Sequence, residues 1–251
     1  MNADDLGTHT LGTFLLSQLH DREEQRNVSA VLARALRQHV EGLRALGVTG
    51  LPTAGGESGR GQAANGSKEE RLARLAQAVE RCRRCPLYRT RTHAVISDGT
   101  PSAQLMFVGE APGHDEDLQG KPFVGAAGQL LTKMIEAMGL TRQDVYICNV
   151  LKDRPPGNRT PLPEEMAACL PFLEEQVAVI EPRVICTLGS IATKALLGPH
   201  IAITRVRGDV REYRGIPLVP TFHPAYLLRN PQAKTFAWAD LKLVKKLLDA
   251  R

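Results

Sequence analysis

Short continuous apolar runs recur along the second part of the chain, among them Leu105-Met106-Phe107-Val108 and Ile216-Pro217-Leu218-Val219-Pro220. Unbroken runs of this length between turn residues predict strands buried on both faces, here over 104–109, 145–150, 183–188 and up to Pro220. Between them apolar residues return at helical spacing. That spacing predicts helices over 68–81, 125–138 (stopped by Gly139), 163–179, 190–197 and 232–249, with a hairpin over 203–220 that turns at Arg214-Gly215. Strands alternating with helices predict an α/β fold: three layers, α/β/α, around a mainly parallel central sheet.

The first part of the chain reads differently. Residues 27–46 carry Val31, Leu32, Ala35, Val40, Leu43 and Leu46 at helical spacing behind Asn27 or Ser29 as a cap, and Gly47 ends the run. Gly, Ser, Ala and Asn then dominate 51–67 without periodicity, which predicts a flexible linker. The domain organisation expected is a helical extension over 1–50, the linker, and a catalytic domain over 68–251. At 251 residues with 43% apolar content, the chain can bury a sizeable core.

Charge separates the same two parts. Residues 1–70 hold 7 basic and 9 acidic side chains, whereas 71–251 hold 25 and 18, so the second part carries +7 and the first −2 of the chain's net +5. A basic surface there favours a polyanionic partner. The N-terminus lacks a basic region followed by an apolar one, and no apolar run reaches the roughly 18 residues of a membrane span, so a cytoplasmic protein without membrane contact is expected. Five cysteines argue against a disulfide framework and leave metal ligation or buried thiols.

Two segments far apart in sequence carry the chemistry: Gly-Glu-Ala-Pro-Gly at 109–113 and His-Pro-Ala-Tyr-Leu-Leu-Arg-Asn-Pro at 223–231. Each follows a predicted strand. In an open α/β sheet ligands bind at the carboxyl ends of strands, so Glu110 and His223 could face one substrate there. A histidine at a strand end also serves as a cap, and a glutamate there can cap a helix or pair with an arginine. Asn149 ends another strand and offers both a donor and an acceptor. Cys82-x-x-Cys85 is spaced to grip iron or zinc, Cys169 lies on the apolar stripe of its predicted helix, and Cys148 and Cys186 inside strands read as small core residues.

These pieces, together with Gly120-x-Pro122-Phe123-Val124-Gly125 and Arg154-Pro155-Pro156-x-Asn158-Arg159, resemble in order and spacing the uracil-DNA glycosylase superfamily, most closely its iron–sulfur family 4, over residues 81–249. The resemblance implies an enzyme that extrudes uracil from single- or double-stranded DNA and hydrolyses its glycosidic bond, leaving an abasic site. It assigns His223 to the departing uracil anion, Phe123 to stacking and Asn149 to the base edge. The water-activating aspartate of the best-known superfamily members is replaced by Ala111, as in family 4, which passes the water to Glu110 or the nearby backbone. Gly113 stands where others place a thymine-excluding tyrosine, with Glu116 filling that space. Leu227, Leu228 and Arg229 would form the loop that props open the duplex.

The resemblance also implies a four-iron cluster on Cys82, Cys85, Cys169 and a fourth cysteine, whose place is taken here by Asp153. A carboxylate-ligated cluster, a three-iron cluster and no stable cluster all remain open, and carboxylate ligation is the expectation. Two rivals accompany the glycosylase. A covalent uracil-DNA binder of the superfamily would need a basic insertion with a reactive histidine, and none occurs between Asn149 and Pro163. A catalytically silent iron–sulfur nucleic-acid-binding module would account for Ala111 and Asp153. A monomer is expected, with a protein partner for the N-terminal helices. A dinucleotide reading of the glycine-rich turn fails on spacing.

Overall fold

The computed structural model describes residues 66–250. The helix expected over 27–46 and nearly all of the expected linker lie outside them. The end of that linker is already helix cap: Ser67 Oγ accepts from Glu70 N at 3.2 Å, and Glu70 Oε2 accepts from Ser67 N at 3.0 Å. This reciprocal pair starts helix α1, Lys68–Glu80.

Six strands form one sheet: β1 Ser97–Gly99, β2 Leu105–Gly109, β3 Tyr146–Asn149, β4 Val184–Leu188, β5 Arg211–Tyr213 and β6 Ile216–Thr221. Their order is β1-β3-β2-β4-β6-β5, with the four inner strands parallel and both edge strands antiparallel. Helices α2 His114–Gln119, α3 Ala126–Ala137, α4 Pro163–Ile180, α5 Ser190–Leu197, α6 Ile203–Val206, α7 Pro224–Arg229 and α8 Lys234–Asp249 complete the α/β fold.

The inner strands are apolar throughout because both faces are covered. Leu105, Phe107, Ile147, Cys186 and Val219 join a core with Leu131 of α3 and Leu241 of α8. Their neighbours Met106, Val108, Cys148, Ile185 and Leu218 join a second core with Leu173 of α4 and Ala192 of α5. Cys148 and Cys186 are thus fully buried core residues, as the sequence predicts. The hairpin turn also stands where predicted, since Arg214 (φ 52°) and Gly215 (φ 82°) take the left-handed pair that suits a two-residue connection.

The differences are local. Residues 203–206 are a helical turn, so the hairpin is confined to β5 and β6. The last helix begins at Lys234 because Pro231–Ala233 winds as a 3-10 turn. Strand β1 and helices α2 and α7 have no counterpart among the expected elements; with three and six residues they are too short to show a period.

Candidate active site

Three of the four parallel strands end at one cleft. Beyond β2 the chain continues into Glu110, β3 ends on Asn149, and β6 leads through Phe222 to His223. The cleft holds about 450 Å³ and is lined by Glu110, Gly113, Glu116, Phe123, Asn149 and His223 among others. It opens beside β2, from which the chain crosses to β3 on one side while β4 lies on the other, the position where open α/β sheets bind ligands.

His223 caps α7, and its Nδ1 accepts from Ala225 N at 3.1 Å. A ring nitrogen that accepts carries no proton, so in the neutral ring the proton sits on Nε2 and makes it a donor. Burial, with help from the Arg229 charge, pushes the pKa down from 6.5 to about 4. The ring is therefore uncharged at neutral pH. The corner that carries it is braced from behind: Thr221 Oγ1 donates to Asp240 Oδ2 at 2.7 Å, and Asp240 is paired to Arg207, whose guanidinium lies 5.2 Å from the Phe222 ring centre.

Phe123 lies across from the imidazole, with ring centres 5.7 Å apart and planes tilted by 31°. Its backbone is left-handed (φ 55°), a strained state for an aromatic residue that the surroundings must hold. They do so from two sides. Arg142 Nη1 donates to the Phe123 carbonyl at 3.1 Å, and α3 comes so close at Gly128 that a Cβ there would stand 1.9 Å from the same oxygen.

The floor is equally tight. A Cβ on Gly109 would lie 2.3 Å from Asn149 Oδ1 and 2.4 Å from the Phe123 ring, so only glycine lets the strand end beneath both. Asn149 is 2% exposed, and its Oδ1 is buried with no hydrogen-bond partner among the described residues. Such an orphan acceptor costs about 1–3 kcal/mol until a donor reaches it.

Glu116 builds the wall. Its carboxylate accepts from Gly113 N at 3.0 Å and from Val124 N and Gly125 N at 2.9 Å each, tying the two loops beside the cleft together. Oε2 sits 2.6 Å from where a Gly113 Cβ would be. Glu110 is the opposite case. Its carbonyl accepts from Leu151 N at 3.0 Å, while among the described residues its half-buried carboxylate has no hydrogen bond or ion pair, and burial raises its pKa above the ordinary carboxylate value. Ala111, next to it, is half-buried.

The three residues expected in the duplex-opening loop face different ways. Leu227 is 1% exposed and packs into the core from α7, because the six-residue helix turns that side inward; Leu228 (43%) and Arg229 face solvent, as does Tyr226 (39%). Arg159 and Arg229 place two cations at the cleft. Arg159 is held by Glu165, which the motif around it did not reveal.

The cysteine corner lies on the other face of the sheet. Cys82 follows α1, Cys85 precedes the 3-10 turn Pro86–Arg89, and Cys169 points inward from α4. Burial raises the Cys85 thiol and pushes Cys169 up to about 11; Cys85 feels Cys82 and Asp153, and Cys169 feels Cys85 and Asp153. None is in a disulfide, and among the described residues no three His, Cys, Asp or Glu side chains converge on one metal ion. Asp153 departs from the expected ligand role: it is 4% exposed, and both oxygens accept from Arg91 Nη1, at 2.8 and 3.0 Å. Arg91 also donates to the carbonyls of Val79 and Glu80 at the end of α1.

The model of the uracil DNA glycosylase superfamily matches residues 96–242. The chain is 48% identical over 166 residues to the type-4 uracil-DNA glycosylase of Thermotoga maritima, covering 65% of this chain and 86% of that one. It belongs to the type-4 uracil-DNA glycosylase family. The relative of the same name from Archaeoglobus fulgidus is 42% identical over 186 residues, 71% of this chain and 94% of that one. A type-5 uracil-DNA glycosylase of Pyrobaculum aerophilum matches at 33% over 53% of this chain. Family membership thus agrees with the resemblance drawn from the motifs and with the observed α/β architecture. The matched span of the superfamily model begins beyond Cys82 and Cys85, so it covers the cleft and leaves the cysteine pair outside. Among the described residues no helix is long and apolar enough to cross a membrane.

Proposed function

We propose that this protein is a uracil-DNA glycosylase of base excision repair, hydrolysing the N-glycosidic bond of an extruded uracil to leave an abasic site. The observation that carries the reading is the pair of unspent polar groups on the cleft floor: the buried Asn149 Oδ1 and the Nε2–H of a neutral His223. Uracil complements both. Its N3–H supplies the donor that Asn149 Oδ1 lacks, whereas cytosine has no hydrogen there and would leave the orphan unpaired. Its carbonyl, gathering negative charge as the glycosidic bond breaks, takes the His223 proton donor, a preorganised contact whose removal costs on the order of a hundredfold in rate.

The other groups follow. The base stacks on Phe123, and the Glu116 carboxylate, fixed by its three amide donors, closes the wall against a thymine methyl. Glu110 is the free acceptor that holds the attacking water, its neighbour being Ala111. Leu228 and Arg229, from the exposed side of α7, meet the DNA strand. Cys82, Cys85 and Cys169 would hold an iron–sulfur cluster, to which soft thiolates are suited and whose ligands stand further apart than those of one ion. When bound, it would supply a cross-link between α4 and the segment that follows α1. Asp153 does not fit as the fourth ligand while Arg91 holds it. The expected setting is a cytoplasmic monomer.

A uracil-containing oligonucleotide tests the function. Alkali-labile cleavage that depends on His223 supports it; a heat-stable slow-migrating adduct would show a covalent binder, and neither product would show a silent binding module.

A further inference from the structure

Lys152 is a lysine where the fold would favour an apolar side chain. It is 1% exposed, and among the described residues no carboxylate pairs with it. Its Nζ instead donates to the Asn149 carbonyl at 2.5 Å and to Gln176 Oε1 at 2.6 Å. Gln176 on α4 is itself fully buried, and its Nε2 donates to the Tyr146 hydroxyl at 3.0 Å and the Ile96 carbonyl at 3.1 Å. A chain of hydrogen bonds thus runs from α4 through Lys152 to the main chain of the residue at the cleft floor.

Burying an unpaired amine costs far more than burying an apolar chain of equal length, and a methionine would fill the same volume. What the lysine adds is a fixed donor on Asn149. The other end of the same peptide unit is held as well, because Val150 N donates to the Gly109 carbonyl at 3.0 Å. With its carbonyl pinned and Gly109 lying against Oδ1, the Asn149 amide cannot swing away to satisfy itself elsewhere. We propose that Lys152 is a positioning residue that acts through Asn149, holding its unpaired side-chain oxygen in place to read the base. The inference rests on the proposed role of Asn149.

The test compares full-length wild type, Lys152→Met, Asn149→Ala and the double variant in single-turnover excision from uracil oligonucleotides, with melting temperature and the ratio of uracil to cytosine release as further readouts. Lys152→Met should lose roughly ten- to a hundredfold in uracil excision and narrow the uracil-to-cytosine ratio, at an unchanged or raised melting temperature. In the double variant the loss should not exceed that of Asn149→Ala alone, since both act on one group. If Asn149→Ala excises uracil like wild type, the reading of Asn149 fails. If Asn149→Ala is impaired while Lys152→Met keeps rate and ratio, or if the two losses multiply, the positioning role alone is overturned. Should Lys152→Met not fold, Lys152→Gln, whose shorter amide falls short of the Asn149 carbonyl, carries the same comparison.

Discussion

Asn149 closes β3 and Asp153 follows four residues later, and the two places they serve are built on opposite principles. At the cleft, each group that gives the site its shape has a protein partner: Glu116 takes three amides, Phe123 takes Arg142, and His223 Nδ1 takes Ala225. What is left unpaired among the described residues is Asn149 Oδ1, the far nitrogen of His223 and the Glu110 carboxylate, the groups that would meet a ligand. At the cysteine corner Cys85 lies within electrostatic reach of both Cys82 and Cys169, and the one residue that departs from the cysteine pattern, Asp153, has its partner in Arg91. A site for a ligand that comes and goes must be shaped by protein alone. A site for a resident group can lean on that group, and is the place where sequence can drift without disturbing the chemistry.

The strongest challenge to this contrast is His223→Ala. Single-turnover excision should fall by on the order of a hundredfold or more, with DNA affinity nearly unchanged. Glu110→Ala should also reduce excision far more than binding. Near-wild-type rates in both variants would mean the unpaired groups of the cleft are not its working groups.

Next in size is the ion pair. With Arg91 and Asp153 side chains 13% and 5% exposed, removing one partner leaves a buried charge, so Arg91→Met should cost about 3 kcal/mol in denaturant unfolding. Asp153→Cys should make bound iron, measured by metal analysis, more resistant to oxidative bleaching while uracil excision stays similar. A large change in excision would show that the two places are not independent. Iron lost as readily as from wild type would remove the fourth-corner argument.

Acid sharpens the comparison from the cleft side. The pKa of His223 is about 4 folded, below its ordinary 6.5, so between these values the unfolded chain binds the extra proton. Stability should therefore be fully present above pH 6.5 and decline as pH falls towards 4. His223→Ala should flatten that slope, and Arg229→Gln, which removes one cause of the depression, should shorten it from its acid end, because only the folded value rises. A slope identical in all three proteins would sink the assignment. The smallest effect belongs to the exposed side of α7: Arg229→Gln should lower the salt dependence of DNA binding by about one counterion. An unchanged salt slope would take Arg229 off the DNA.

The sheet and the strand-end segments were legible because burial on both faces leaves unbroken apolar runs, and because Gly109 and His223 sit directly beyond two of them. Leu227 was not, since six residues of α7 are too few to show which side faces inward. Arg91 and Asp153 are 62 residues apart, and neither residue alone announces the other. Lys152 was not legible for a different reason: lysine reads as surface, and only the fold puts its amine against the Asn149 carbonyl. The ligand-facing half of the site could be read because it uses residue types rare at strand ends. Its supporting half is made of ordinary residues in unusual places.

The contact between Gly128 and the Phe123 carbonyl has a mechanical consequence. With no side chain between them and Arg142 bonded to the same oxygen, the aromatic platform cannot hinge on its own loop; it must travel with the first turns of α3. Breathing of the cleft floor and fraying of that helix are then one event, and the amides of both should exchange with solvent at a single shared rate.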